Sequence, residues 1–198
     1  MALEPRRPIA AAAHSRAAES LARRVLTVGL AAAIVALSAQ VVVPLPTSPV
    51  PMTLQPLAVI VIGALLGPAS GAAALVVYLL AGATGLPVFS AGRAGAAWLI
   101  GPTGGYLLAF PVAAAVIGAI TARSARAGRA GVLRLLAGLA AGIAVIHAGG
   151  VAHLALLGGD PATAFRTGFI PFLTGDLIKI GLAAAIVLLA RPSLRSRL

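Results

Sequence analysis

The sequence predicts an all-α integral membrane protein with six transmembrane helices and an apolar capping loop between the third and fourth. Three observations carry this. Of 198 residues, 60% are hydrophobic and 10% are charged, against roughly 25% charged in an ordinary soluble domain. No Asp, Glu, Lys or Arg occurs in Val25–Gly92, Ala94–Ala122 or Leu135–Gly159, and about 20 apolar residues suffice to cross a bilayer. Proline and glycine cut these runs into helix-length pieces, and arginines gather between them.

The elements follow in order. Residues 1–22 read as a disordered basic cytoplasmic tail, 23–190 as the membrane domain, and 191–198 as a second basic cytoplasmic tail. Within the domain the expected helices are 23–43, 54–67, 69–85, 102–122, 134–157 and 171–190. The first ends before Pro44-Leu-Pro-Thr-Ser-Pro-Val-Pro51, which cannot continue a helix and gives a loop over 44–53. Gly67-Pro68 separates the second and third helices by a tight turn at 67–69. The other loops are 86–101, 123–133 and 158–170. A basic start, an apolar run and Ser38-Ala39 before Gln40 also resemble a secretory signal. The run is long for one and no A-x-A site closes it, so it is read as a span.

Charge topology supports the count. Arg6, Arg7, Arg16, Arg23 and Arg24 precede the first helix. Arg123, Arg126, Arg129 and Arg134 lie between the fourth and fifth, and Arg191, Arg195 and Arg197 follow the sixth. Basic clusters stay cytoplasmic, so an even number of spans separates each from the next. Merging the second and third helices would put the arginine loop outside.

Several functions are excluded. The net charge of +11 reflects only four acids, and the bases are bunched at the tails and one loop rather than spread over a face, so no nucleic-acid partner is expected. With no cysteine there is no disulfide and no thiol chemistry. No P-loop, G-x-S-x-G or H-E-x-x-H motif occurs. His147 and His153 are about 240° apart around a helix and cannot share a metal on one face. Asp160 and Asp176 are the only acids beyond the first tail. The chain therefore reads as a small-molecule binder or transporter, not an enzyme, with no cofactor and no metal.

Asp176 and Lys179 are the sharpest feature. Spaced i,i+3 near the start of the sixth helix, they share a face. Each charge costs about 2.5–3.5 kcal/mol in the bilayer core, so the pair marks a ligand site. The plain alternative is a self-satisfied pair with Lys179 reaching the interface. The loop 86–101 is too apolar to be solvated and folds back as a cap. In it, Arg93 meets either an anionic ligand or lipid headgroups, and Trp98 suits a pocket or an interfacial belt. Phe89 belongs to the same loop. Gly101-Pro-Thr-Gly-Gly-Tyr106 opens the fourth helix, pointing Tyr106 into the bundle or the cap. Gln55 is either a ligand contact or a local hydrogen-bonding residue. Gly29-x-x-x-Ala33 and Ala32-x-x-x-Ala36 give the first helix small-residue stripes for close helix approach, and Ala32 and Ala36 are taken as the partner-facing pair.

Four segments carry a resemblance. Val50-Pro-Met-Thr-Leu-Gln55, Gly82-Ala-Thr-Gly-Leu-Pro-Val-Phe89, Gly101-Pro-Thr-Gly-Gly-Tyr106 and Pro171-Phe-Leu-Thr-Gly-Asp-Leu-Ile-Lys179 resemble the signature stretches of BioY proteins, biotin-binding S components of energy-coupling factor (ECF) transporters. The likeness runs in order from about Arg23 to Ala190. It implies a six-helix cell-membrane protein that captures biotin from outside. It also implies a transmembrane coupling subunit and two cytoplasmic ATPase subunits as partners, with membrane lipid around the bundle. The family's binding residues carry over to Asp176 and Lys179, and then to Gln55, Phe89 and Tyr106. Where the family often has Tyr and Trp in the fifth helix, this chain has His147-Ala-Gly-Gly-Val-Ala-His153, so imidazole replaces aromatic wall and His153 joins the candidate ligand residues. Thr174 stands where Pro is common, and the 86–101 loop lacks the Asn that some members carry.

The chemistry agrees with biotin. Its ureido ring offers two N–H donors and a carbonyl acceptor, and its tail ends in a carboxylate. Asp176 can accept from an N–H while Lys179 donates to the carbonyl, each bond contributing about 1.5–3 kcal/mol. Arg93 is the candidate for the tail carboxylate, and Phe89, Trp98 and Tyr106 for the apolar ring and chain. The alternatives are an S component for another vitamin and a solitary biotin transporter without ATPase partners.

Overall fold

The computed structural model describes residues 9–122 and 129–195. The remainder of the tails and of the basic loop, with Arg6, Arg7, Arg123, Arg126 and Arg197, lies outside the described residues. The elements are α1 (Ile9–Ser38), β1 (Val42–Val43), β2 (Met52–Thr53), α2 (Gln55–Ala83), α3 (Ala97–Ile100), α4 (Gly104–Ala122), α5 (Arg129–Gly158), α6 (Pro161–Gly168) and α7 (Leu173–Arg195). Five segments among the described residues are long and apolar enough to cross a membrane: Glu19–Ser38, Gln55–Ala83, Gly104–Ala122, Gly131–Gly158 and Pro161–Ala190.

The second of these segments doubles back. Gly67 adopts φ 77°, ψ 179°, outside helical geometry, and Pro68 follows it. Proline has no N–H to continue the ladder, and glycine alone reaches a positive φ without a Cβ clash. As a result the Gln55 side-chain amide donates to the Tyr78 hydroxyl at 2.5 Å. A straight helix would hold these residues roughly 34 Å apart. The expected second and third helices are thus two antiparallel arms of α2, joined at the predicted break.

The arms of α2 pack against α4, α4 against α5, and α1 against α2, while α7 closes against α2 and α5. Their shared core holds fully buried Ile60, Leu75, Tyr78, Ile117, Leu139 and Ile146. The outer faces carry Leu37, Leu156, Leu177 and Leu189, all more than two-thirds exposed. Large exposed apolar faces of this kind suit acyl chains rather than water.

Several boundaries depart from expectation. The first helix starts at Ile9 rather than 23, because its Ala-, Leu-, Glu- and Arg-rich lead-in favours helix. It ends at Ser38 rather than 43, because the valines that follow enter a strand. Val42 pairs with Thr53 and Val43 with Met52 in an antiparallel two-stranded ribbon, which suits β-branched residues. Within 158–170, expected as loop, lies α6. Its N-cap is Asp160, whose carboxylate accepts from the Ala162 and Thr163 amides, and Pro161 occupies the first turn, a strong start signal. A 3-10 turn at Ile170–Phe172 then leads into α7, which runs past the expected end at 190 to Arg195.

The segment 86–101 is pinned at several points. The Gly92 amide donates to the Gln40 side-chain carbonyl at 2.9 Å, and the Gln40 amide group donates to the Phe89 carbonyl at 3.3 Å. Gly95 N–H donates to the Gly82 carbonyl at 2.8 Å. The segment contains a 3-10 turn at Ser90–Gly92 and the single-turn α3.

Candidate functional site

Asp176 and Lys179 lie in the first two turns of α7, 5% and 4% exposed. Their i,i+3 spacing brings the Lys179 ammonium to 3.0 Å from Asp176 Oδ1. The other carboxylate oxygen, Oδ2, lies 2.5 Å from His147 Nε2. Both oxygens are therefore engaged, each by a different helix. His147 Nδ1 faces the Gly168 carbonyl at 3.3 Å, and the same carbonyl accepts from the Tyr106 hydroxyl at 2.6 Å. The end of α6 is thereby tied to α4 and α5. Tyr106 sits close over Gly150, where any Cβ would overlap its ring.

These groups border a cavity of about 50 Å³ that reaches from Val50, Thr53 and Gln55 to His147, Asp176 and Lys179. Ser90 of the 86–101 segment and Tyr106 also line it. Apolar walls come from Leu107, Phe110, Ile143, Ile146 and Phe172. The combination is a few convergent polar groups on an apolar surface, which suits a small molecule with a compact polar head.

Gln55 is held on both sides. Its carbonyl accepts from the Thr53 hydroxyl at 3.2 Å, while its amide bonds Tyr78 as described. Tyr78 in turn donates to the Val88 carbonyl at 3.2 Å, linking the cavity edge to the 86–101 segment. Asp176, Lys179, Gln55 and Tyr106 are thus brought together at one cavity.

The other expected site residues lie elsewhere. Phe89 is buried against Tyr78, ring centroids 5.6 Å apart and edge-on, and is not among the cavity-lining residues. Arg93 stacks over Trp98 at 4.4 Å, a contact contributing about 0.5–1 kcal/mol at an exposed site. It borders a groove with Val42, Leu45 and Ser48 that shares Pro51 and Ser90 with the cavity. His153 Nε2 faces the carbonyls of Ile100 and Gly101 at 3.3 and 3.1 Å, tying α5 to the entry of α4. Ala32 is buried in the core and Ala36 packs against it, so this stripe serves the chain's own bundle. Gly29 and Ala33, four residues apart and so on one face, are exposed.

His147, not His153, lines this cavity. In the Ala- and Gly-rich α5, Leu135, Leu139, Ile143 and Ile146 form the bulky buried stripe. His147 follows Ile143 by four residues and shares that face, whereas His153 falls about 240° further round.

Comparison with known proteins accords with this architecture. A profile of the BioY family matches residues 10–196. A biotin transporter BioY of Thermotoga maritima is 39% identical over 84% of this chain and 94% of its own length. One from Rhizobium etli is 38% identical over 87% of this chain and 96% of its own. Among solved structures, the S-component for biotin from an ECF-type ABC transporter superposes with a TM-score of 0.80, covering 88% of this chain and 93% of that one, at 24% identity, and shares the fold. On the extent of the profile match and of the relatives' identity, the chain belongs to the BioY family.

Proposed function

We propose that the chain is the biotin-binding S component of an ECF-type uptake transporter, seated in the cell membrane as a multi-pass protein. The observation that carries the reading is the buried Asp176–Lys179 pair at a mostly apolar cavity. A ureido head supplies what such a pair can use: N–H groups for the carboxylate and a carbonyl for the ammonium. Tyr106 and Phe172 offer the apolar wall for the thiophane ring. Gln55 contributes through the amide hydrogen not spent on Tyr78.

The two arms of α2 count as separate spans, giving six in all. Both tails and the 123–134 arginines then face the cytoplasm by charge topology. The 86–101 segment is the external cap, which the hydrogen-bonded path from Gln55 through Tyr78 to Val88 supports. Arg93 stands at its edge, where a tail carboxylate can reach it. The transmembrane coupling subunit, with two ATPase subunits beneath it, meets the exposed face of α1, where Gly29 and Ala33 permit close approach between Leu30 and Leu37.

Equilibrium binding of labelled biotin to the purified protein tests the reading, with a panel of other vitamins as competitors. Retention of biotin displaced only by unlabelled biotin is the expected result. Displacement by a different vitamin at lower concentration assigns another substrate. Uptake in cells without the coupling and ATPase subunits would favour a solitary transporter instead.

A further inference from the structure

Among the described residues the buried polar side chains are Gln55, Ser90, Thr121, His147, Asp176 and Lys179. Thr121 bonds the Ile117 carbonyl, and Gln55, His147, Asp176 and Lys179 have the partners given above. Ser90, 7% exposed, is the exception. Its hydroxyl bonds no protein group among the described residues. A buried hydroxyl left unpaired costs free energy, and native structures seldom keep one without a reason. Ser90 is also held in place. Gln40 bonds the carbonyl of Phe89 before it and the amide of Gly92 after it. The Phe89 N–H closes the turn onto the Arg93 carbonyl at 2.9 Å, and the Phe89 ring fills the space where a Cβ on Gly82 would lie. Ser90 and Pro51 border both the cavity of Asp176 and Lys179 and the groove of Arg93. Ser90 therefore stands where the two spaces adjoin.

We propose that the Ser90 hydroxyl is a ligand-binding group, donating to the tail carboxylate where the ligand reaches from the cavity toward the Arg93 groove. This rests on the biotin reading for the identity of the ligand. Recognition is then divided between two places: the Asp176–Lys179 pair takes the polar head, and a hydroxyl of the 86–101 segment takes the far end. The ring and methylene chain between them are apolar and need only apolar wall. A methylene beside Ser90 would leave its hydroxyl as unpaired as before, whereas a carboxylate oxygen accepts its proton. The bond is charge-assisted, which makes it stronger than one between neutral groups. Because the flanking residues are already pinned by Gln40, little ordering is spent when the ligand arrives. Ser90 thus selects a ligand by whether its tail ends in an acceptor, a property that the ion pair at the head does not read.

The test compares two ligands on the full chain: biotin, and an analogue whose tail carboxylate is replaced by a methyl group. Their affinities are measured for the parent, for Ser90→Ala, which removes the hydroxyl, and for Ser90→Cys, which keeps a similar shape but donates only weakly. The ratio of biotin affinity to analogue affinity should fall about ten-fold in both variants, with the analogue bound as by the parent. A purely structural defect would weaken both ligands alike and leave the ratio unchanged. An unchanged ratio in variants that elute like the parent overturns the proposal and leaves the biotin reading standing. A parent that binds no biotin overturns both.

Discussion

The Tyr106 hydroxyl donates to the Gly168 carbonyl across 2.6 Å, so the first turn of α4 holds the end of α6 directly beside the His147–Asp176 contact. Tyr106→Phe keeps the ring packed over Gly150 and against Phe172 but deletes this bond. A buried neutral hydrogen bond contributes about 0.5–1.5 kcal/mol. The expected outcome is a small drop in melting temperature, with biotin affinity reduced by less than about ten-fold. Thermal unfolding and equilibrium binding on the same preparation check it. A loss of binding comparable to that of an Asp176 variant would place the hydroxyl on the ligand itself.

The turn at Gly67-Pro68 fixes the sidedness of everything after it. Because the chain has no cysteine, single cysteines report topology without background. Ala91→Cys should react with an impermeant thiol reagent in intact cells. Ala127→Cys and Ser193→Cys should react only after the membrane is opened. Labelling of Ala127→Cys from outside would mean that α2 crosses the membrane once.

Asp160 offers a pH-dependent local test outside the spans. The Thr163 hydroxyl, followed by the amides of Ala162 and Thr163, stabilises its carboxylate and lowers its pKa below the usual value. A carboxylate with a lowered folded pKa stabilises above its unfolded pKa and loses that contribution as pH falls through the folded value. Hydrogen exchange at Ala162 and Thr163 should therefore slow progressively as pH is raised from strongly acid conditions through the ordinary carboxylate range, after correction for intrinsic exchange. Asp160→Asn should cap with no such dependence, and Asp160→Ala should exchange fast throughout. An Asp160→Ala protein with parental protection would show that α6 is held by packing alone.

Much of the fold is legible in the sequence. Gly67-Pro68 marked the reversal within α2 because both residues oppose helix for independent reasons. The i,i+3 spacing of Asp176 and Lys179 fixed their contact because it is local. What escaped depended on contacts distant in sequence or on competing local signals. The β1–β2 ribbon needs two short segments to meet across a proline-rich loop. Asp160-Pro161 is a readable helix start, but the helix it opens is only 8 residues long and lies in a stretch polar enough to pass for a loop between spans. Phe89 and Arg93 suit a ligand by chemical type, but the edge-on packing of Phe89 on Tyr78 and the stacking of Arg93 on Trp98 are contacts that residue type does not announce. The position of His147 is hidden for a different reason. Its partner Asp176 lies 29 residues away, and only the bulky stripe of α5 indicates which histidine faces it.

The Asp176–Lys179 pair carries the decisive prediction. Asp176→Asn preserves shape and one acceptor but removes the counter-charge of Lys179. Lys179→Met preserves length and removes the donor, leaving Asp176 with His147 alone. A hydrogen bond to a charged group contributes about 1.5–3 kcal/mol, so each change should weaken biotin binding roughly 10- to 100-fold. The double variant should lose less than the product of the single losses, because each residue orients the other. Arg93→Gln should have a smaller effect, and none on a biotin amide, since its proposed partner is the tail charge. Labelled biotin binding, with folding of each variant checked by its elution profile, measures all of these. If both α7 variants fold and bind like the parent, the pair is a self-neutralising structural element. The cavity edge around Gln55 would then be where the ureido head binds.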